Sequence, residues 1–389
     1  MAPDRTSFGV VFAVWIAGLG SAAQFAKVSV TFDALSAHYG ETGATLGFAV
    51  SLVGLVGILL GVVAGLLVAR TGYRRSLLAA LLLGALVSAW QATLPPFALL
   101  LVSRAIEGIS HLAIVVAAPT LIAQYSAVRH RGFTLSLWST FFGVAFALLA
   151  WFGVPFAAAY GMGALYAAHA AYMAAMALLI WWQVPADKPR STDALPSGAQ
   201  LLSDHLRIYR SPRLSAPALG WVFYAASFLA ILTIMPRFLA PEMRETVIGI
   251  APLIGIAVSM TLGVLLLRLV SAVVVAQAGF LGCVACSLLI WAMPMSIWPY
   301  LMLFGAMGLI QGASFAAVPQ LNSDAAGQAA ANGAVAQMGN VGTTLGTPLL
   351  AALVASADTT GFLIFGCGAF CAGFFIHAIL SARRRHDDL

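Results

Sequence analysis

Between residues 8 and 382 the sequence is a succession of apolar runs, each near the roughly 20 residues that an α-helix needs to cross a bilayer. Runs of this length are expected at 8–32, 44–69, 76–94, 97–123, 133–156, 162–184, 214–236, 247–268, 271–293, 298–319, 328–354 and 360–382. Charged residues make up only 8% of the chain and hydrophobic ones 61%, whereas a soluble domain carries about 25% charge. A soluble monomer is excluded, and an all-α integral membrane protein of twelve transmembrane helices is the expected fold class. The first run is too long for a signal-peptide core, contains Lys27 and lacks a small-residue cleavage site, so it reads as a retained first helix.

Orientation follows from the 19 Lys and Arg residues, because short cytoplasmic loops keep positive charge. With both termini inside, Arg5, Arg70, Arg74, Arg75, Arg129, Arg131, Lys188, Arg190, Arg207, Arg210, Arg213, Arg268 and Arg383 to Arg385 are cytoplasmic. Only Arg237 and Arg244 fall in outer loops. The expected location is a bacterial-type cytoplasmic (inner) membrane. The net charge of +6 then reports topology, and no nucleic-acid partner is needed to explain it.

One long polar, Pro-containing stretch, 185–212, separates residues 1–184 from 213–389, six helices on each side. It reads as a cytoplasmic linker with a short amphipathic helix around Gln200 to Tyr209. The halves also resemble each other. Arg104-Ala-Ile-Glu107-Gly108-Ile-Ser110 corresponds to Gly308-Leu-Ile-Gln311-Gly312-Ala-Ser314, and Gly65-Leu-Leu-Val-Ala69-Arg70 to Gly263-Val-Leu-Leu-Leu-Arg268. Internal symmetry between six-helix halves is the mark of a parallel-repeat transporter.

At this point the chain resembles the major facilitator superfamily of secondary transporters over essentially its whole length. Gly65-Leu-Leu-Val-Ala69-Arg70-Thr-Gly72-Tyr73-Arg74-Arg75 is similar to the family's loop signature G-x-L-a-D-R-x-G-R-K, and Arg104-x-x-Glu107-Gly108 to its fourth-helix R-x-x-Q-G. The resemblance implies the fold of that superfamily, transport by alternating access and a site where the halves meet. Two departures stand out. Ala69 replaces the loop aspartate that helps hold the cytoplasmic side closed in the family, and the fifth helix lacks the Gly-Pro pair of its antiporters around Gly143. Asp324, in the tenth-to-eleventh loop, is a candidate to replace the lost carboxylate by pairing with Arg70 or Arg74 as a gate. Its alternative role is to cap the eleventh helix.

Ionisable residues inside a membrane helix are costly and mark solute or ion pathways. Arg104, Glu107, Gly108 and His111 follow i, i+3, i+4, i+7 and share one helix face. Lys27, two turns from the outer end of the first helix, is expected at the same depth as Arg104. Two cations facing one carboxylate favour an anionic substrate, held at Lys27 as a point charge or bidentately at Arg104. The structural alternative is an Arg104–Glu107 ion pair with Lys27 snorkelling outward. Gln24 and Thr31 extend the polar face of Lys27. Glu107 and His111 are the candidate proton carriers, with an interhelical hydrogen bond as the other role for His111. In the second half, Tyr224, Ser227, Gln311, Ser314, Gln337 and Asn340 offer neutral polar groups for substrate contact or helix packing.

His169 and His377, with no charged neighbour in sequence, read as structural; Asp33 reads as a solvated helix end. Cys283, Cys286, Cys367 and Cys371 read as small packing residues. Gly54, Gly57, Gly61 and Gly65 on the second helix, and Gly339, Gly342 and Gly346 on the eleventh, suit either a rocking interface or static close packing.

The expected function is therefore a proton-coupled (symport) or facilitative transporter of a small anionic solute. The competing readings are a proton-coupled exporter of amphipathic compounds and a non-transporting membrane scaffold. No nucleophile–base arrangement, metal-ligand cluster or phosphate-binding G-x-x-x-x-G-K-S/T loop suggests an enzyme or a nucleotide cofactor. The expected partners are the solute, a coupling proton and lipid, with the chain a monomer and no cofactor.

Overall fold

A computed structural model of the chain describes residues 5–186 and 197–387. Asp187, Lys188, Arg190 and Asp193, assigned above to the cytoplasmic linker, lie outside the described residues. Every regular element among the described residues is a helix. The spanning helices of the first half are α1 (Phe8–Val30), α2 (Gly43–Ser51, a 3-10 turn at Leu52–Gly54, then Leu55–Thr71), α3 (Tyr73–Ala92), α4 (Phe97–Gln124), α5 (Val128–Tyr160) and α6 (Met162–Gln183). Those of the second are α7 (Ser215–Phe238), α8 (Pro241–Leu267), α9 (Ala272–Ala292) and α10 (Trp298–Leu321), followed by a helical run from Ala325 to Asp387.

That last run is two helices. Its apolar part, Ala330–His386, has 57 residues, and at 1.5 Å per residue a straight helix of that length would reach about 85 Å. The hydrocarbon core is only about 30 Å thick. The chain turns at Asp358, whose φ of 47° breaks the helix, giving α11 (325–357) and α12 (359–387). The structure thus has twelve spanning helices among the described residues.

The chain forms two compact units. Residues up to Glu41 and from Leu52 to the linker make the first; Thr42–Ser51 and everything from the linker onward make the second. In the first unit α1 packs on α4, α5 and α6, and α3 packs between α4 and α6, so α1, α3, α4 and α6 enclose a common interior. Gly72, at φ 96°, takes the left-handed conformation that lets α2 turn directly into α3. In the second unit α7 packs along α11 and α12, and α9 along α10. Between α6 and α7, the helix Gly198–Arg210 starts with a capping box, Ser197 Oγ accepting from the Gln200 amide while the Gln200 side chain accepts from Ser197 N–H.

The α11 glycines have a definite packing partner within their own half. A Cβ at Gly342 would lie 2.4 Å from Val222 O, and one at Gly346 2.0 Å from Ala226 O, both on α7. This stripe serves close α7–α11 packing, the static alternative considered above, while nothing lies within 4 Å of a Cβ at Gly61 or Gly65 of α2. In the N-terminal segment of α2, Gly47 approaches α11 instead, where an added Cβ would lie 2.6 Å from Pro348 Cα. Gly346→Ala is expected to push α7 from α11 and destabilise the protein by about 1–3 kcal/mol, the usual cost of overpacking. Thermal unfolding of the purified protein would show it as a lowered midpoint, whereas Gly61→Ala should leave the midpoint in place.

Candidate functional site

The interior of the first unit holds a charge cluster centred on Glu107. Lys27 Nζ on α1 donates to Glu107 Oε1 at 2.7 Å. Arg104, one turn earlier on α4, donates to Glu107 Oε2, which also accepts from Gln91 Nε2 of α3 at 2.9 Å. All three ionic side chains are fully buried. In a low-dielectric interior such ions persist only when paired and hydrogen-bonded, and these three bonds to the carboxylate come from three helices.

The ammonium of Lys27 is satisfied as well. Besides Glu107 it meets Ser88 Oγ of α3 at 2.7 Å and His169 Nδ1 of α6 at 3.2 Å, and it stands 5.5 Å from the centre of the Tyr166 ring. Thr31 Oγ1 donates to Lys27 O at 2.7 Å, so the Tyr166 hydroxyl, 2.9 Å away, donates to Thr31. Gln91 Nε2 also reaches Ser103 Oγ at 3.1 Å. Lys27 and Arg104, expected at one depth, both bond Glu107. The Arg104–Glu107 pair of the structural alternative exists, but Lys27 is 0% exposed and does not snorkel outward.

Gln24 and His111 lie beside the cluster without joining it. Gln24 Nε2 donates to Ser110 Oγ at 2.8 Å, and Ser110 Oγ donates to Ala80 O. His111 Nδ1 lies 2.9 Å from Ser21 Oγ, with its ring edge-on to Phe25. This is the interhelical hydrogen bond named as the other role for that histidine.

Sequence reading missed His169, Ser88, Gln91 and Tyr166. His169, set aside for want of a charged neighbour in sequence, is in the structure a direct neighbour of Lys27; its partners come from α1 and α3, remote along the chain. A local signal existed: Ser88 and Gln91, like Tyr166 and His169, are polar pairs at i, i+3 inside apolar runs, and therefore share a face. His377, by contrast, is buried against Phe280 with no hydrogen-bond partner for either ring nitrogen.

The second unit's candidates occupy separate settings. Tyr224 is buried and stacked between Trp221 and Phe228. Gln311 is half-buried on α10, and Ser227 and Ser314 are buried without a hydrogen-bond partner. Gln337 accepts from the Tyr209 hydroxyl at 2.8 Å and donates to His205 Nε2, tying α11 to the helix Gly198–Arg210. Burial pushes the Tyr209 phenol up to about 12, so it stays a donor. Asn340 donates to Ala336 O. Of the gate candidates, Arg74 donates to Trp181 O, Arg70 is half-buried, and Asp324 Oδ1 accepts from Gly327 N–H at the start of α11, a helix cap. Cys283 and Cys286 are buried free thiols. Among the described residues no three His, Cys, Asp or Glu side chains gather as a metal site.

Residues 10–347 match the Major Facilitator Superfamily. No curated protein sequence matches the chain. Among solved structures it is similar to a bacterial homolog of the human lysosomal transporter Spinster in an inward-facing, unoccupied conformation. That likeness has 12% identity and a TM-score of 0.72, over 96% of this chain and 95% of that one. The nucleoside transporter NupG, in a point-mutant form, is similar at 14% identity with a TM-score of 0.75, over 95% of this chain and 99% of the other. At these identities the likeness is one of fold.

Charge counting predicts unequal costs within the cluster. Glu107→Gln leaves two buried cations without their carboxylate and is expected to destabilise by about 3–5 kcal/mol. Lys27→Met leaves Arg104 and Glu107 balanced and should cost far less. Comparing thermal midpoints of the two variants tests this, and equal midpoints would overturn the charge count.

Proposed function

The chain belongs to the Major Facilitator Superfamily, and on that premise we propose that it is a secondary transporter carrying a small anionic solute together with a proton. Transport across a bacterial cytoplasmic membrane, with both chain termini inside, proceeds by alternating access. The observation that supports an anion is the charge sum of the buried cluster: two cations, Lys27 and Arg104, share the single carboxylate of Glu107. One positive charge is left over among side chains that are fully buried, and a monoanion is the ligand class that neutralises it. Arg104 suits the planar oxygens of a carboxylate or phosphate, and Lys27 supplies a mobile point charge. Proton coupling is assigned to the cluster centred on Glu107, whose ionised carboxylate anchors the groups that exchange the proton, with His111 as the second carrier. Gln24, and in the second half Tyr224, Gln311, Gln337 and Asn340, are the proposed neutral contacts to the solute.

The same proposal makes Arg70, Arg74 and Asp324 a cytoplasmic gate. Asp324 already caps α11, so replacing it costs about 1 kcal/mol on that account alone. The informative experiment is therefore the exchange of Arg74→Asp with Asp324→Arg, which should restore transport lost in either single variant. Absence of rescue would leave Asp324 as a cap only.

The transport reading is tested by reconstituting the protein in liposomes with an inward-directed proton gradient and a panel of labelled carboxylates and phosphates. Accumulation of one anion class is expected, reduced tenfold or more by Arg104→Ala and by Lys27→Ala. Gradient-driven expulsion of lipophilic cations, unaffected by Lys27→Ala, would replace the anion with an amphipathic cation as the cargo.

A further inference from the structure

Two polar groups of the cluster also reach a cavity of about 330 Å³ between α1, α5 and α6. Its wall is largely apolar, with Leu19, Leu148, Phe152 and Leu165 among the lining residues, and the π-helical turn Leu149–Gly153 of α5 forms one side. Lys27 and His169 form its inner polar end; Tyr172 also lines it, but its hydroxyl is donated to Ile16 O. His169 is 7% exposed, whereas Lys27, Ser88, Arg104 and Glu107 are all 0% exposed. His169 is therefore the outermost member of the group.

The hydrogen bonds determine where the protons sit. His169 Nε2 lies 2.9 Å from Gly20 O, a carbonyl that can only accept, so Nε2 carries the ring hydrogen and Nδ1 presents its lone pair. Ser88 Oγ, 2.7 Å from Nδ1, donates its proton there in preference to Glu107 Oε1 at 3.4 Å. Ser88 in turn accepts from Lys27 Nζ at 2.7 Å. Lys27, Ser88 and His169 form a continuous donor-to-acceptor chain that runs from the carboxylate to the cavity wall.

We propose that His169 is the proton-binding port of the cluster, exchanging one proton with Lys27 through Ser88 and with water entering the side cavity. In the transfer, one Nζ–H proton moves to Ser88 Oγ as the proton of Ser88 moves to His169 Nδ1. The ammonium becomes an amine, the imidazole becomes an imidazolium, and the cluster keeps its single excess charge. Loss of the Nε2 proton to a water that displaces Gly20 O then leaves Lys27 an amine, His169 neutral with its hydrogen on Nδ1, and Arg104 balanced by Glu107. Two positive charges at once on Lys27 and His169, 3.2 Å apart with Arg104 nearby, are opposed by repulsion. The groups facing His169 are Lys27 of α1, Ser88 of α3, Arg104 and Glu107 of α4, and Tyr166 and Tyr172 of its own helix; the α5 wall contributes no ionisable side chain. Resting on the transport reading above, this gives a loaded cluster that attracts an anion and an unloaded one that does not, so proton and anion would bind together.

The test is nitrogen-15 NMR of the histidine-labelled full-length protein in lipid, without any solute, with His169 identified by its absence in His169→Gln. At about pH 6, just below the ordinary histidine value, wild-type His169 is expected to read neutral with hydrogen on Nε2. Followed across a pH series, Lys27→Met, which removes the competing cation, is expected to gain imidazolium at a higher pH than the wild type does, and Lys27→Arg is expected to follow the wild type. Hydrogen on Nδ1 in the wild type, or a His169 charge state indifferent to Lys27→Met, would overturn the port. The wild-type reading needs no variant to fold. Because no solute is present, failure here is distinguishable from failure of anion uptake in liposomes.

Discussion

Glu107 must be ionised to hold Lys27 and Arg104 inside a hydrocarbon-embedded bundle, and those cations must be present to keep Glu107 ionised. None of the three is tolerable alone at zero exposure. This mutual dependence ties α1 to α4 directly and recruits α3 through Ser88 and Gln91 and α6 through His169. Together with the Gln24–Ser110, Ser21–His111 and Tyr172–Ile16 hydrogen bonds, the cluster sets how these four helices align. Membrane helices gain little from hydrophobic association, since lipid is as apolar as leucine. A polar network that has no alternative partner in lipid is a strong register-setting device.

The second half shows a different solution to helix association. It carries no buried ion pair among the described residues, and α7 and α11 instead approach through Gly342 and Gly346 closely enough that a methyl group would meet backbone atoms. Gln311 and Ser314 stand at the repeat positions of Glu107 and Ser110, so the ionic partner of the first half is replaced by a neutral amide. The two halves of one duplicated pattern have diverged in chemistry, with the buried ion pairs among the described residues in the first unit.

Much of the site was legible from spacing alone. The i, i+3, i+4, i+7 run at Arg104, Glu107, Gly108 and His111 placed these residues on one face because helix geometry is nearly invariant. The union of Lys27 with that face could be argued from depth. His169 could not be recovered in this way, because its partners lie 142 and 81 positions away in sequence. Likewise the α11 glycines announced a close approach, but not that α7 would be the helix approaching them.

The sequence by itself determined that the chain spans a membrane, how many times, and which residues had to find partners there. Length and apolarity of each run suffice for the first two, and the cost of an unpaired ion in hydrocarbon suffices for the third. Only the tertiary structure decided which partners they found: that Glu107 is shared between Lys27 and Arg104, that Ser88 bonds both Lys27 and His169, and that Lys27 and His169 both line the side cavity. Those outcomes depend on the rotation and depth of four helices relative to one another. Local helical periodicity leaves both free, and they are set by simultaneous satisfaction of buried hydrogen bonds across the bundle.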